Sequence, residues 1–290
     1  MPALPPILVI ARLTVQEASR RRLLLALVIL TLIVVGISAW GFYKITTVTG
    51  PSGKPPSHEE VIIVSSQLLI FVTFVYSGVL ALSAAVVAGP LISNEVESGL
   101  ILSILARPVR RSEIVIGKWL GLAILVTIYA VGSAALEMTA VDWATTYLPP
   151  HPVELIVYVG LEGLALLSLG LLLSTRLSGI TGGVIALVAW LMAWIGGIVG
   201  DIGTGLQNEA VQDVGIVSRL ILPTDGLWRG AINAMEPDVI LAQLRSAGAF
   251  ARANPFAALD PPPVAFLLWV AVWFSLTLFL SIWSFRTREI

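Results

Sequence analysis

The sequence predicts an all-α integral membrane protein with six transmembrane helices, and three observations carry that prediction. Hydrophobic residues make up 57% of the chain and charged ones 12%, with a mean hydropathy of +0.93, far from an ordinary soluble domain. Six long apolar runs recur, at about 23–43, 61–92, 114–138, 155–174, 180–199 and 264–285, each long enough to cross a hydrocarbon core of roughly 30 Å. Threading the chain through those runs gathers Lys and Arg on one side.

Ahead of the first run, in residues 5–22, Ile7, Leu8, Ala11, Val15 and Ala18 share one face, while Arg12, Gln16, Glu17, Ser19 and Arg20 fall mostly elsewhere. That is the pattern of an interfacial helix lying on the lipid bilayer. Arg20, Arg21 and Arg22 mark the border where the chain turns in; a simple stop-transfer cluster explains them equally well. A polar loop rich in Gly and Pro, residues 44–60, separates the first two spans. The second span is longer than crossing requires, which predicts tilt or projection, and Gly89-Pro90 near its inner end predicts a bend.

Residues 92–121 are the stretch around which the rest is organised. Glu95 and Glu97 open it, and Arg107, Arg110, Arg111 and Lys118 close it. Between them Leu100, Ile101, Ile104 and Leu105 form one apolar stripe of a short helix. Acids in its first turn and a base past its last suit the helix dipole. Pro108 ends it, and Ser112 is the expected N-cap of the next helix, which runs into the third span. A short amphipathic helix on the membrane surface, followed by a basic hinge, is the expectation.

The loop after the third span carries Asp142, Trp143, Tyr147 and a Pro-Pro pair, and Arg176 sits in a very short turn between the fourth and fifth spans. Residues 200–263 form one large exterior segment. Val211, Val214 and Ile221 make one apolar stripe there, and Leu227, Trp228, Ala231, Ile232 and Met235 another. Pro223-Thr224-Asp225-Gly226 breaks between the two stripes. A third helix is expected from Pro237-Asp238. These helices are expected to dip into the membrane or cap the bundle, with either a packing or a gating role. With the N-terminus inside, the cytoplasmic pieces hold Arg12, Arg20, Arg21, Arg22, Arg107, Arg110, Arg111, Arg176, Arg286 and Arg288, whereas the outer loops before residue 200 hold only Lys44 and Lys54. Both termini are therefore expected in the cytoplasm, with Lys118 snorkelling at the inner end of the third span.

Much chemistry is excluded. A formal net charge of −1 without a basic patch gives no reason to expect nucleic acid, and the absence of cysteine removes disulfides and thiolate sites. The first apolar run is a full span without a cleavage site behind it, so no cleavable signal is expected. No Gly-rich phosphate loop ending in Lys-Ser or Lys-Thr occurs, so the chain is not expected to hydrolyse ATP. His58 and His151 stand far apart in outer loops, and no hydrolase motif appears. Two acids remain. Glu162, about two turns into the fourth span, is a candidate for a translocation path; the small residues Gly160, Gly163 and Ser168 on the same span favour a hydrogen-bonded packing role instead. Glu137 is expected at the outer interface. Trp40, Trp143, Trp190, Trp194, Trp269, Trp273 and Trp283 read mostly as anchors or packing residues.

The run Glu95-x-Glu97-x-Gly99, then Arg107-Pro108-Val109-x-Arg111-Ser112-Glu113-Ile114-Val115-x-Gly117-Lys118, resembles the signature of bacterial permeases of type-two ABC exporters. The similarity in layout covers essentially the whole chain as one permease domain, 1–290. It is nearest in size and pattern to the permease of nitrous oxide reductase maturation and to multidrug-type relatives, although nothing in the sequence supplies a metal-handling cluster. Leu222-Pro223-Thr224-Asp225 resembles the place where relatives carry an Asn-Pro or Ser-Pro turn, and Leu100 departs from the Thr often found after the glycine.

The resemblance implies an exporter permease in the prokaryotic plasma membrane, paired as a homodimer. Segment 94–112 would be its coupling helix, docked on a separate ABC ATPase that binds ATP and Mg. Glu95, Glu97, Gly99, Leu105, Arg107, Pro108 and Arg111 would carry that coupling, and no cofactor is expected in this chain. A membrane scaffold or assembly factor without a transport cycle is the alternative; an intramembrane enzyme built on Glu162 lacks a second catalytic group.

Overall fold

The computed structural model describes residues 5–20, 22–49, 55–101, 109–247 and 254–289. Among these the chain forms helices and no strand. In chain order they are α1 (Pro6–Ser19), α2 (Arg22–Thr47), α3 (His58–Ala88), α4 (Pro90–Glu97), α5 (Arg111–Thr145), α6 (Pro152–Ser174), α7 (Gly179–Gly205), α8 (Glu209–Ile221), α9 (Thr224–Met235), α10 (Asp238–Ser246) and α11 (Val264–Arg286). Six stretches are long and apolar enough to span a membrane: Leu25–Thr47, His58–Glu97, Arg111–Thr145, Pro152–Ser174, Gly179–Gly205 and Val264–Arg286. They overlap the six apolar runs, but α5 extends seven residues past Met138 and α7 six residues past Val199.

The bundle is assembled by small residues where helices approach closely. α1 lies against α5, and a Cβ placed on Gly121 would sit 2.6 Å from the Ala11 carbonyl and 2.8 Å from Thr14 Cβ. No other residue type allows that approach. α2 contributes little to the interior and presents Leu25, Ile29, Leu32, Ile33 and Ile37 outward, as a lipid-facing helix does. Several apolar clusters hold the rest. In the largest, Leu69, Ile70, Val159, Leu227, Trp228 and Met235 interlock from α3, α6 and α9. Another, at the opposite end of the bundle, joins Ile92, Ile101, Ile114, Val115, Leu171 and Phe285.

α3 ends at Ala88, and Pro90 opens α4 at its first turn; Gly89 between them keeps helical dihedrals, φ −52 and ψ −53, so α4 carries on from α3. The surface helix differs from expectation. Glu95 and Glu97 lie in the last turn of α4, not the first turn of the helix after it. Gly99, with φ +71, breaks the helix there, a backbone conformation that favours glycine. Helix resumes at Leu100 and Ile101; Ile104, Leu105, Arg107 and Pro108 lie outside the described residues. Ser112 is inside α5 and not its N-cap. That position is Arg110, whose backbone N–H donates to the Glu113 carboxylate at 2.7 Å, half of a capping box.

The segment expected to dip into the membrane or cap the bundle folds back along it. Residues 200–205 continue α7, and α8 then runs antiparallel beside the outer half of α7. Gly200 and Gly215 cross almost backbone to backbone, the Cβ of either falling within 2.8 Å of the other's Cα. Ser218 Oγ donates to the Ala193 carbonyl at 3.1 Å. Ala193 stands twelve residues before Gly205, so α8 penetrates about 18 Å below the outer end of α7. Its last carbonyls, on Leu220 and Ile221, accept the indole N–H groups of Trp269 and Trp273 at 3.2 and 2.8 Å. α9 then climbs back against α6, and the His151 N–H donates to the Ala234 carbonyl at 3.1 Å. The apolar stripe of α8 is turned outward, with Val214 47% and Ile221 70% exposed, because the glycine face takes the packing against α7.

Candidate functional site

A hinge is built from α4 and the first turns of α5. Residue 118 falls on the side of α5 that meets α4, and there Lys118 is buried, 5% exposed. Its Nζ donates to Glu95 Oε1 at 2.7 Å and to the Leu91 carbonyl at 3.0 Å. Taking an ammonium out of water costs several kcal/mol unless such partners replace the water, so the pair fixes α4 to α5. Glu95 is thus turned inward by this bond, not offered to a partner. Glu97 and Gly99, two and four residues on, are exposed.

Arg111 opens α5 and reaches the far end of the last helix. Its Nη1 donates to the carbonyls of Phe285, Arg286 and Arg288 at 3.0, 3.1 and 2.8 Å. Its guanidinium also lies 5.7 Å from the Phe285 ring centre. The last carbonyls of a helix have no intrahelical donor, and a cation there satisfies both them and the negative dipole end. Two more arginines close the clasp. Arg288 donates to the Thr175 carbonyl at 2.7 Å, and Arg176 to Ser284 Oγ at 3.1 Å and Thr287 Oγ1 at 2.5 Å. α5, the α6–α7 turn and α11 are therefore tied together at one end.

The other end of the bundle holds a second polar construction. Arg219 on α8 pairs with Asp225 at 2.7 Å and with Asp201 at 3.2 Å. Arg229 on α9 pairs with the same two acids, 3.4 Å from Asp225 and in close contact with Asp201. Two acids and two bases cancel, and each charge has two opposite neighbours, which offsets their removal from water. The quartet joins α7, α8 and α9. Glu162 on α6 is 1% exposed; its Oε1 accepts from Ser77 Oγ at 2.6 Å and from Trp190 Nε1 at 3.0 Å, while Oε2 has no hydrogen-bond partner. Glu137, expected at the interface, is instead 2% exposed, because α5 continues two turns beyond it; Tyr76 donates to it at 3.3 Å. Glu236, after α9, is also buried, and burial pushes its carboxyl up to about 7 against one hydrogen bond from the Ala258 N–H.

The family model described as ABC-2 family transporter protein matches residues 8–290. The chain belongs to this family. It is accordingly a multi-pass ABC transporter permease, a membrane transport component that is not itself catalytic. No curated protein matches the chain.

In this ABC-2 permease the residues singled out from sequence do not form one site. Glu97 ends α4 and Gly99 follows in the exposed turn after it, Glu95 and Arg111 are bonded within the chain, and Leu105, Arg107 and Pro108 lie outside the described residues. Glu162 stands apart on α6. The quartet was not foreseen: Asp225 and Arg229 stand four apart on an amphipathic stretch, which is a readable pairing signal, but Asp201 and Arg219 meet them only because α8 turns back.

Proposed function

We propose that this permease is the membrane subunit of an ATP-driven exporter. Two copies would pair, each docking a separate ATPase that binds ATP and Mg on the cytoplasmic side, with both termini on that side as the Lys and Arg distribution expects. Segment 94–112 is the docking element, and Glu95, Glu97, Gly99, Leu105, Arg107, Pro108 and Arg111 carry the coupling. The observation that carries this reading is the bonding behind the turn. α4 continues α3 across Pro90, Glu95 bonds Lys118 on α5, and Arg111 bonds the end of α11. A push on the exposed turn therefore moves the inner ends of three spans together. The likeness to the nitrous oxide reductase maturation permease rests on size and pattern and brings no substrate with it, since among the described residues no group of three His, Asp or Glu could hold a metal.

The test is a tagged purification in mild detergent from the native host. The reading expects a P-loop ATPase of a few hundred residues in stoichiometric amount. A chain that elutes alone under several detergents would favour a scaffold without a transport cycle.

A further inference from the structure

The contact between α3 and α7 contains a cleft that the charged quartet does not use, and its mouth borders α4. Its cytoplasmic half is a groove of about 550 Å3 between Leu82, Val86 and Pro90 on one side and Ile180, Val184 and Leu187 on the other. The groove is apolar except at its mouth, where Asn94, Glu97 and Ser178 line it. Its deep end, at Leu82 and Leu187, is one helical turn from Gly78 and Trp190. A Cβ on Gly78 would touch the Trp190 ring at 3.6 Å, so the indole lies over the glycine one turn beyond the groove.

Behind that indole is the Glu162 carboxylate. Among the described residues no base lies within 4 Å of it, and its Oε2 is buried without a hydrogen-bond partner. Beyond it, Phe74 is ringed by Trp190, Trp194, Trp228 and Phe256, with ring centres 6.2, 4.9, 5.5 and 5.4 Å away. The indole N–H groups of Trp194 and Trp228 are buried and unbonded. Packing explains the rings, but it gives no reason for a carboxylate where an amide would satisfy Ser77 and Trp190 as well. An unpaired acid at this depth is costly, and aromatic faces attract cations most strongly when both are shielded from water.

We propose that the α3–α7 cleft binds an amphipathic organic cation. Its apolar body lies in the groove, and its cationic group is drawn past Trp190 to Glu162 and the rings around Phe74. Glu97 at the mouth gives the same sign of attraction at the point of entry. This inference rests on the permease reading and adds a substrate class to it.

The test uses the full chain in lipid nanodiscs, with tetraphenylphosphonium and its anionic isostere tetraphenylborate as probes, empty nanodiscs serving as the blank. The proposal expects saturable phosphonium binding and no borate binding above the blank. Glu162→Gln, which keeps an oxygen for Ser77 and Trp190, should weaken phosphonium at least about tenfold, the scale of a desolvated charge contact. V86W, at a lining position 40% exposed, should block the groove without disturbing the core. Equal binding of the two probes, or undiminished phosphonium binding in V86W or in folded Glu162→Gln, overturns the proposal. An ATPase that co-purifies with a permease blind to phosphonium sinks this inference alone; phosphonium binding by a permease that has no ATPase sinks the transporter reading alone.

Discussion

Replacing Lys118 with Met tests how the hinge is held. At 2.7 Å and an effective dielectric of about 20, attraction between Lys118 and Glu95 is roughly 6 kcal/mol. Most of that is cancelled by the cost of burying an ammonium whose side chain is 6% exposed, against 20% for Glu95. Charge-assisted hydrogen bonds net about 1.5–3 kcal/mol, and Met restores the buried stem volume. Lys118→Met should therefore cost about 2 kcal/mol. Glu95→Gln should cost about 1 kcal/mol, because the amide oxygen still accepts from Lys118. The double variant should lose less than the sum, by about 1 kcal/mol. Denaturation of the purified permease in mixed micelles measures all three. A coupling energy within about 0.3 kcal/mol of zero would refute the reasoning, since independent sites add to that precision.

Three further outcomes are expected. Gly121→Val forces α1 off α5, costing about 1–3 kcal/mol as overpacked sites do; hydrogen exchange should rise in Pro6–Ser19 before any other helix. Arg111→Lys keeps the charge but loses the planar fork, so the α11 end should become sensitive to carboxypeptidase while the apolar clusters stay protected. Glu236 has a folded-state value of about 7 against 4.5. Between those values the folded protein binds more protons than the unfolded chain, so stability is highest below the window and falls as pH rises through it, by up to about 3 kcal/mol. Melting curves from pH 4 to pH 8 should show that loss, and Glu236→Gln should lack it.

Hydropathy made the six spans legible, because in lipid every backbone group must be satisfied within its own helix, leaving length and apolarity as the signature. The helix from Asp238 was legible for a similarly local reason. The hinge was legible as a place and not as a geometry. Glu95 and Lys118 are 23 residues apart, and only the approach of α4 to α5 reveals them as partners. The failures share one cause, which is packing that sequence periodicity does not report. Glu137 sits where a span of ordinary length would end, but α5 is longer. Of the stripe Val211, Val214 and Ile221, Val211 lies against Gly203 while the other two stay exposed, because Gly200 and Gly215 let the glycine side of α8 approach α7. Small residues thus set which face turns inward, and apolar residues are free to face lipid.

The central claim is that the exposed turn after α4 docks an ATPase, and site-specific cross-linking tests it most directly. The chain contains no cysteine, so single cysteines at Glu97 and, as an outer-side control, at Val153, 70% exposed, can carry a photoactivated cross-linker in intact native membranes. The account predicts an adduct from position 97 that contains a P-loop ATPase and changes in yield with ATP, and none from position 153. A cross-linker at position 97 that captures no ATPase, in membranes where the permease is folded, would contradict it.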